Sequence, residues 1–218
     1  ETKLEDDRFP DSALAELGYR SVFAGQKTYN GVAIVSREPA ADVQVGIPGF
    51  DDEQKRVIAA TVGDLRIVNL YVVNGQDVGT DKYAYKLRWL QAVHDWIAHE
   101  LQRHPELVVM GDFNIAPLDT DVYDLSMFET HISEPERQAF EAFEQIGLID
   151  TVRELVPDQY TYWDYKDLCF PKNNGMRIDF CLTSETLTER VIGATIERDE
   201  RKGEGPSDHV PVVLELSD

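Results

Sequence analysis

The chain has 218 residues and a mass of 24.8 kDa, with 42% hydrophobic residues, 10% aromatic residues and a formal net charge of −20. A chain of this length buries roughly 70% of its unfolded surface, so a single domain with its own core is expected and no disulfide or metal staple is needed to fold it. The apolar content excludes wholesale disorder, and the excess of acid repels nucleic acid and anionic lipid at long range.

Apolar runs such as Leu107 to Met110 are far too short to cross a bilayer, so no membrane partner is expected. The two cysteines, Cys169 and Cys181, form no Cys-x-x-Cys pair, which argues against a zinc ribbon or a disulfide framework and makes a reducing cytosol the expected compartment. The first residues, Glu1-Thr2-Lys3-Leu4, carry neither Met nor a signal peptide, so a processed or truncated start is expected.

In chain order, Asp11 through Leu17 reads as a short helix that Gly18 ends. Val32 to Val35 follows the turn residues Asn30-Gly31 as a short buried strand. Val57 to Val62 and Leu65 to Val73 are β-rich segments joined by Gly63-Asp64, a strong hairpin signal. Asp81 to His104 is the longest predicted helix, with Leu87, Leu90, Val93, Ile97 and Leu101 on one face and Pro105 as its stop. Leu107 to Met110 is an apolar strand running into Gly111-Asp112. Ser133 and Glu136 form a capping box for a helix through Phe140, Phe143 and Ile146. Arg177 to Thr183 and Val210 to Leu216 are two further buried strands. The alternation favours one layered α/β domain over residues 1–218 with a site on the loops at the sheet edges.

Polar groups collect at these strand ends. Asp112 and Asn114 follow one strand, Tyr71 and Asn74 close another, Asp179 interrupts a third, and Asp208-His209 precedes the last. A carboxylate in such a place is costly unless paired or metal-bound. Singly each motif is weak, since Gly-Asp is most often a turn and Asp-His a cap beside a surface ring. Together they offer hard oxygen ligands, an imidazole and amide donors, which suits Mg²⁺-assisted attack of water on a phosphodiester better than zinc or serine chemistry. The other histidines, His94, His99, His104 and His131, are expected to face solvent.

The blocks Gly111-Asp112-Phe113-Asn114, Arg177-Ile178-Asp179, Ser207-Asp208-His209 and Tyr160-Thr161-Tyr162-Trp163-Asp164-Tyr165 resemble the motifs of the exonuclease III family of AP endonucleases, within the endonuclease/exonuclease/phosphatase superfamily. The resemblance runs from residue 1 to about 216 with the motifs in the family's order. It implies a four-layer α/β/β/α sandwich, two mixed sheets face to face with helices outside. It further implies a monomeric, Mg²⁺-dependent (or Mn²⁺-dependent) hydrolase of double-stranded DNA in base-excision repair. Its expected activities are incision 5′ to abasic sites and 3′–5′ exonuclease or 3′-phosphodiesterase action at 3′ ends.

Residue by residue, the resemblance makes Asp112 the group that activates water, with Asn114 holding the water or a phosphate oxygen. Tyr71 and Asn74 contact the phosphate, and His209 is a donor oriented by Asp179. Glu1 and Asp208, with Asp112 and Asn114 beside them, form the metal site, and Tyr162, Trp163 and Met176 line an apolar pocket for a deoxyribose without its base. The family carries a strand before this Glu, with Trp-Asn and a further site residue. The resemblance therefore predicts one sheet short of an inner strand and a chain of weakened activity.

Two alternatives remain at this point. A relative acting on lipid or inositol phosphates would keep the Asp-Asn and Asp-His core, although the aromatic cluster favours DNA. A non-catalytic scaffold is the alternative of a different class.

Overall fold

A computed structural model describes residues 1–217. In it Val57–Val62 (β4) and Leu65–Tyr71 (β5) form the antiparallel hairpin that Gly63-Asp64 announces, with Val62 opposite Leu65. Along β5 the side chains alternate: Arg66, Val68 and Leu70 are buried on one face, while Leu65, Ile67, Asn69 and Tyr71 point to the other. The strands Ala40–Val45 (β3), Leu107–Asp112 (β6), Leu148–Asp150 (β7) and Asp179–Ser184 (β8) complete a six-stranded mixed sheet ordered β3-β4-β5-β6-β8-β7. The short helix expected from Asp11 is Asp11–Glu16 (α1); in the large sheet only β5 and β6 run parallel, and the helix Asp81–Arg103 (α2) makes the crossover between them.

The hydroxyl of Thr80 caps α2 by accepting from the Tyr83 amide at 3.2 Å. Trp89, Leu90, Val93 and Ile97 on α2, together with Phe140 and Phe143 of the helix Glu134–Gln145 (α3), pack on Val68, Leu70, Val109, Phe180 and Leu182. This is the main core. In the first turn of α3, Glu136 accepts from the Ser133 amide at 3.2 Å, the reciprocal bond of a capping box.

The opposite face of the sheet is covered by two separate two-stranded antiparallel sheets. Arg20–Ala24 (β1) and Val32–Ser36 (β2) lie over Ile58, Ala60 and Ile67. Val191–Ile196 (β9) and Val212–Leu216 (β10) lie over Val108 and Cys181. The second layer of this α/β sandwich is therefore in two pieces. A slot of about 340 Å³, lined by Ala33–Val35 of β2, Val212 of β10 and Ile67, Met110 and Phe180 of the large sheet, separates them.

Two strands begin later than the sequence pattern suggests. β8 starts at Asp179 because the Arg177 amide is bonded to the Asp121 carbonyl at 2.8 Å, outside the ladder. β10 starts at Val212, since Val210 donates instead to the Thr161 carbonyl at 2.9 Å. Among the described residues no helix is long and apolar enough to cross a membrane.

Candidate active site

Three neighbouring strands bring their polar ends into line. The register sets Tyr71, the last residue of β5, beside Asp112, the last of β6, and Asp112 opposite Asp179, the first of β8. Parallel β5 and β6 finish together and antiparallel β8 begins there, so a site at this edge follows from the topology. β6 can approach β5 this closely only through Gly111, which adopts φ +130°; a Cβ there would stand 2.0 Å from the Leu70 carbonyl oxygen.

Beyond β6 the chain turns sharply at Asn114, whose φ is +48°. The Asp112 carboxylate stabilises that turn, with Oδ1 accepting from the Asn114 amide at 2.8 Å and Oδ2 from the Asn114 side chain at 3.1 Å. His209 closes the other side. Its Nδ1 lies 2.8 Å from Asp179 Oδ2, and its Nε2 faces Asp112 Oδ2 across 4.0 Å. The same Asp179 oxygen accepts the hydroxyl of buried Thr161 at 2.6 Å, and Thr161 in turn accepts from the amides of Ile178 and Asp179. The Tyr162 ring leans on the His209 ring at 4.9 Å.

These residues open on a cleft of about 850 Å³, whose lining also includes Glu1, Asn74, Asp208, Met176 and His131. Glu1 accepts from the Asn30 amide at 2.7 Å, which fixes its carboxylate at the rim. Burial, and then the charge of Asp179, raise Asp112 from 3.8 to about 7, against the pull of His209. Burial opposes a charged ring at His209, but Asp179, Asp112 and Asp208 outweigh it and raise this histidine from 6.5 to about 9. Burial, followed by Glu1 and Asp112, lifts Tyr71 to about 12, so its phenol keeps its proton.

The carboxylates suit a divalent cation. Asp112 lies within 4.8 Å of Asp179 and His209, which pair with each other, while Glu1 and Asp208 line the same cleft and offer further hard oxygen donors to an ion beside Asp112.

Three expectations from the sequence need correction. Asn114, expected to offer an oxygen beside Asp112, turns its side-chain nitrogen to that carboxylate instead. Its side-chain nitrogen donates to the Val72 carbonyl at 3.0 Å and to Asp112, groups that only accept, which fixes the amide with Oδ1 turned toward Asn74. Trp163 is 1% exposed and packs edge-on against Phe170 in the core, so Tyr162 and Met176 line the cleft without it. Gly175 presses on that indole: a Cβ there would be 2.6 Å from Trp163 Nε1.

His131 is the third. It is buried rather than solvent-facing, and its Nε2 lies 3.2 Å from Asn114 Oδ1 and 3.3 Å from Asn74 Nδ2. It belongs to the site, yet it stands in a loop with no motif around it to announce it. Burial, then the Lys86 charge, lowers it to about 4, so its ring is neutral.

Comparison with known proteins bears on the family and the fold. Residues 1–209 match the model of the Endonuclease/Exonuclease/phosphatase family. Exodeoxyribonuclease III of Haemophilus influenzae is 31% identical over 233 residues, covering 99% of this chain and 87% of the relative. The structure of the 3′ phosphatase NExo from Neisseria, bound to a product DNA hairpin, superposes with a TM-score of 0.96 at 42% identity, covering 99% of this chain and 86% of that one. An AP endonuclease from Archaeoglobus fulgidus gives a TM-score of 0.94 at 32% identity, covering 100% and 87%. A family match over nearly the whole chain, on a fold that gathers the motif residues around one cleft, makes this chain an exonuclease III-type member of the endonuclease/exonuclease/phosphatase family.

Proposed function

We propose that the protein is a metal-dependent DNA-repair hydrolase that cleaves phosphoester bonds at 3′ ends and on the 5′ side of abasic sites. The observation that carries this reading is the disposition of Asp112 and the His209–Asp179 pair. A carboxyl group and an imidazole paired to a second carboxylate face each other across 4.0 Å in a cleft of about 850 Å³. The Neisseria structure, at 42% identity, is described as a 3′ phosphatase holding product DNA, whereas the Archaeoglobus AP endonuclease is at 32%. That difference favours 3′-end processing as the leading activity, with abasic-site incision second.

In this reading Asp112 accepts the proton of a water whose oxygen attacks phosphorus. The bond from phosphorus to the leaving oxygen breaks, and that oxygen takes a proton from solvent water at the open cleft. His209 donates from Nε2 to a phosphoryl oxygen, held in orientation by Asp179, while the Tyr71 phenol offers a further donor and the Asn74 carboxamide lines the same cleft. Glu1 and Asp112, with Asp208 alongside, would hold Mg²⁺ or Mn²⁺. When bound, the ion supplies the positive charge that ionises Asp112 and polarises the phosphate. Tyr162 and Met176 form the apolar wall against which a sugar or terminal base would rest.

The test is a set of duplexes carrying a 3′-phosphate, a recessed 3′-hydroxyl or an abasic site, each with Mg²⁺ and with EDTA, beside an inositol polyphosphate. Mg²⁺-dependent turnover of the 3′-phosphate duplex is expected. Turnover of the inositol phosphate alone, or of nothing, would overturn the reading.

A further inference from the structure

Beneath the cleft lies a charge pair that the hydrolysis does not touch. Lys86 of α2 and Glu136 of α3 are both wholly buried and form an ion pair. Glu136 also accepts from the Ser133 hydroxyl at 2.6 Å and the Thr130 hydroxyl at 3.3 Å. The lysine holds its counter-ion through Nζ, and the same atom donates to the Asn114 carbonyl at 2.7 Å and to the Asn74 carbonyl at 3.3 Å.

Stability is a poor explanation for such a pair. Stripping water from two charges offsets most of their attraction, and well-packed apolar replacements are often as stable or more so. The other bonds of Lys86 supply a better one. Asn74 and Asn114 stand just beyond the ends of β5 and β6, where the ladder no longer constrains the chain. Their side chains meet in the cleft, Asn74 Nδ2 donating to Asn114 Oδ1 at 3.2 Å. Asn114 also holds a φ of +48°, uncommon outside glycine though more accessible to Asn than to most residues, and its neighbours hold it there. One ammonium grips the carbonyls of both residues from below. The segment passes so near the lysine stem that a Cβ on Gly75 would lie 3.0 Å from Lys86 Cδ.

We propose that Lys86 is a positioning residue, whose buried ammonium ties the Asn74 and Asn114 carbonyls together and so sets their carboxamides, and through Asn114 the Asp112 carboxylate, in the arrangement the reaction needs. Glu136 is the counter-ion that keeps Lys86 charged in that place. The proposal deepens the hydrolase reading and rests on it for its kinetic consequence, but its structural consequence stands apart from activity.

The experiment compares the double variant Lys86→Met/Glu136→Leu, which removes both charges at once, with Lys86→Arg. Expected for the double variant are a cooperative fold, a kcat on a 3′-phosphate duplex lower by roughly 10²-fold with KM little changed, and displaced side-chain amide signals of Asn74 and Asn114 in ¹⁵N-labelled protein. Lys86→Arg, which retains the charge and donors, should recover part of the rate. A folded double variant with parental kcat and unmoved amide signals would overturn the proposal. Should the double variant not fold, Lys86→Gln/Glu136→Gln is read by the same two criteria. A parent protein inactive on every DNA substrate would remove the proposed function, while the amide signals would still decide the role of Lys86.

Discussion

His209 Nδ1 and Asp179 Oδ2 stand 2.8 Å apart, joining the mouth of one strand to the first residue of another across thirty positions of sequence. The bond fixes which nitrogen of the ring faces the cleft, because a proton on Nδ1 is committed to the carboxylate and Nε2 is left to face Asp112. Asp179→Ala should therefore lower kcat by about 10²–10³-fold with little change in DNA affinity. Thr161→Val, which deletes only the hydroxyl that steadies the same oxygen, should cost about tenfold. Single-turnover rates and a DNA-binding titration separate the two effects. Parental single-turnover rates in Asp179→Ala would show that the pair is idle.

The pH dependence of the metal-free protein has a defined sign. Asp112 is raised from 3.8 to about 7 and His209 from 6.5 to about 9, so both bind protons more tightly folded than unfolded. A group raised in this way contributes stability that is fully present below its unfolded value and is lost as pH rises through its folded one. Melting temperatures in EDTA should therefore fall from about pH 4 to pH 9, through Asp112 in the lower part of the range and His209 in the upper. His209→Gln should flatten the upper part and Asp112→Asn the lower. An unchanged slope in both variants would contradict these assignments.

Divalent cation should act on both stability and rate. Mg²⁺ or Mn²⁺ offsets the crowded carboxylates, so either ion is expected to raise the melting temperature at pH 8, where Asp112 is ionised, more than at pH 5. Chelation should abolish hydrolysis and readdition restore it. Full turnover after exhaustive EDTA treatment would exclude the metal-dependent scheme.

Trp163 and Met176 should part company on substitution. Trp163→Ala removes a fully buried indole and is expected to cost about 3–5 kcal/mol of stability. Met176→Ala, which opens both the cleft wall and the small buried cluster with Ala116, Val122 and Ile178, should raise KM for DNA in addition to lowering stability, whereas Trp163→Ala should leave KM of the folded protein little changed. Urea denaturation alongside steady-state kinetics distinguishes them, and a Trp163→Ala protein of parental stability would put the indole outside the core.

The elements with strong local signals were legible in the sequence. The β4–β5 hairpin has a two-residue turn between β-branched runs, and α2 has a long apolar stripe between a cap and a proline. β1, β3, β7 and β9 were not legible: they are short, β7 having only three residues, with Arg20-Ser21 opening β1, Asp42 inside β3 and Gly193 inside β9. β3 and β9 are held by β4 and β10, and β1 by Ile58 and Ala60 of the large sheet beneath it, surroundings that no short local window contains.

For the site, the sequence by itself determined which residue types stand at the strand ends, because each motif is a local string whose chemistry is carried by its side chains. It thereby pointed to Asp112, Asp179 and His209 before any contact among them was visible. Tertiary structure alone decided which face each group presents. The Val72 carbonyl turns the Asn114 oxygen away from Asp112, Phe170 and Gly175 enclose Trp163, and a loop without a motif lowers His131 onto both asparagines. Each outcome depends on a hydrogen-bond partner or packing surface supplied by a distant segment, and such orientation is a property of the folded chain rather than of any stretch of it.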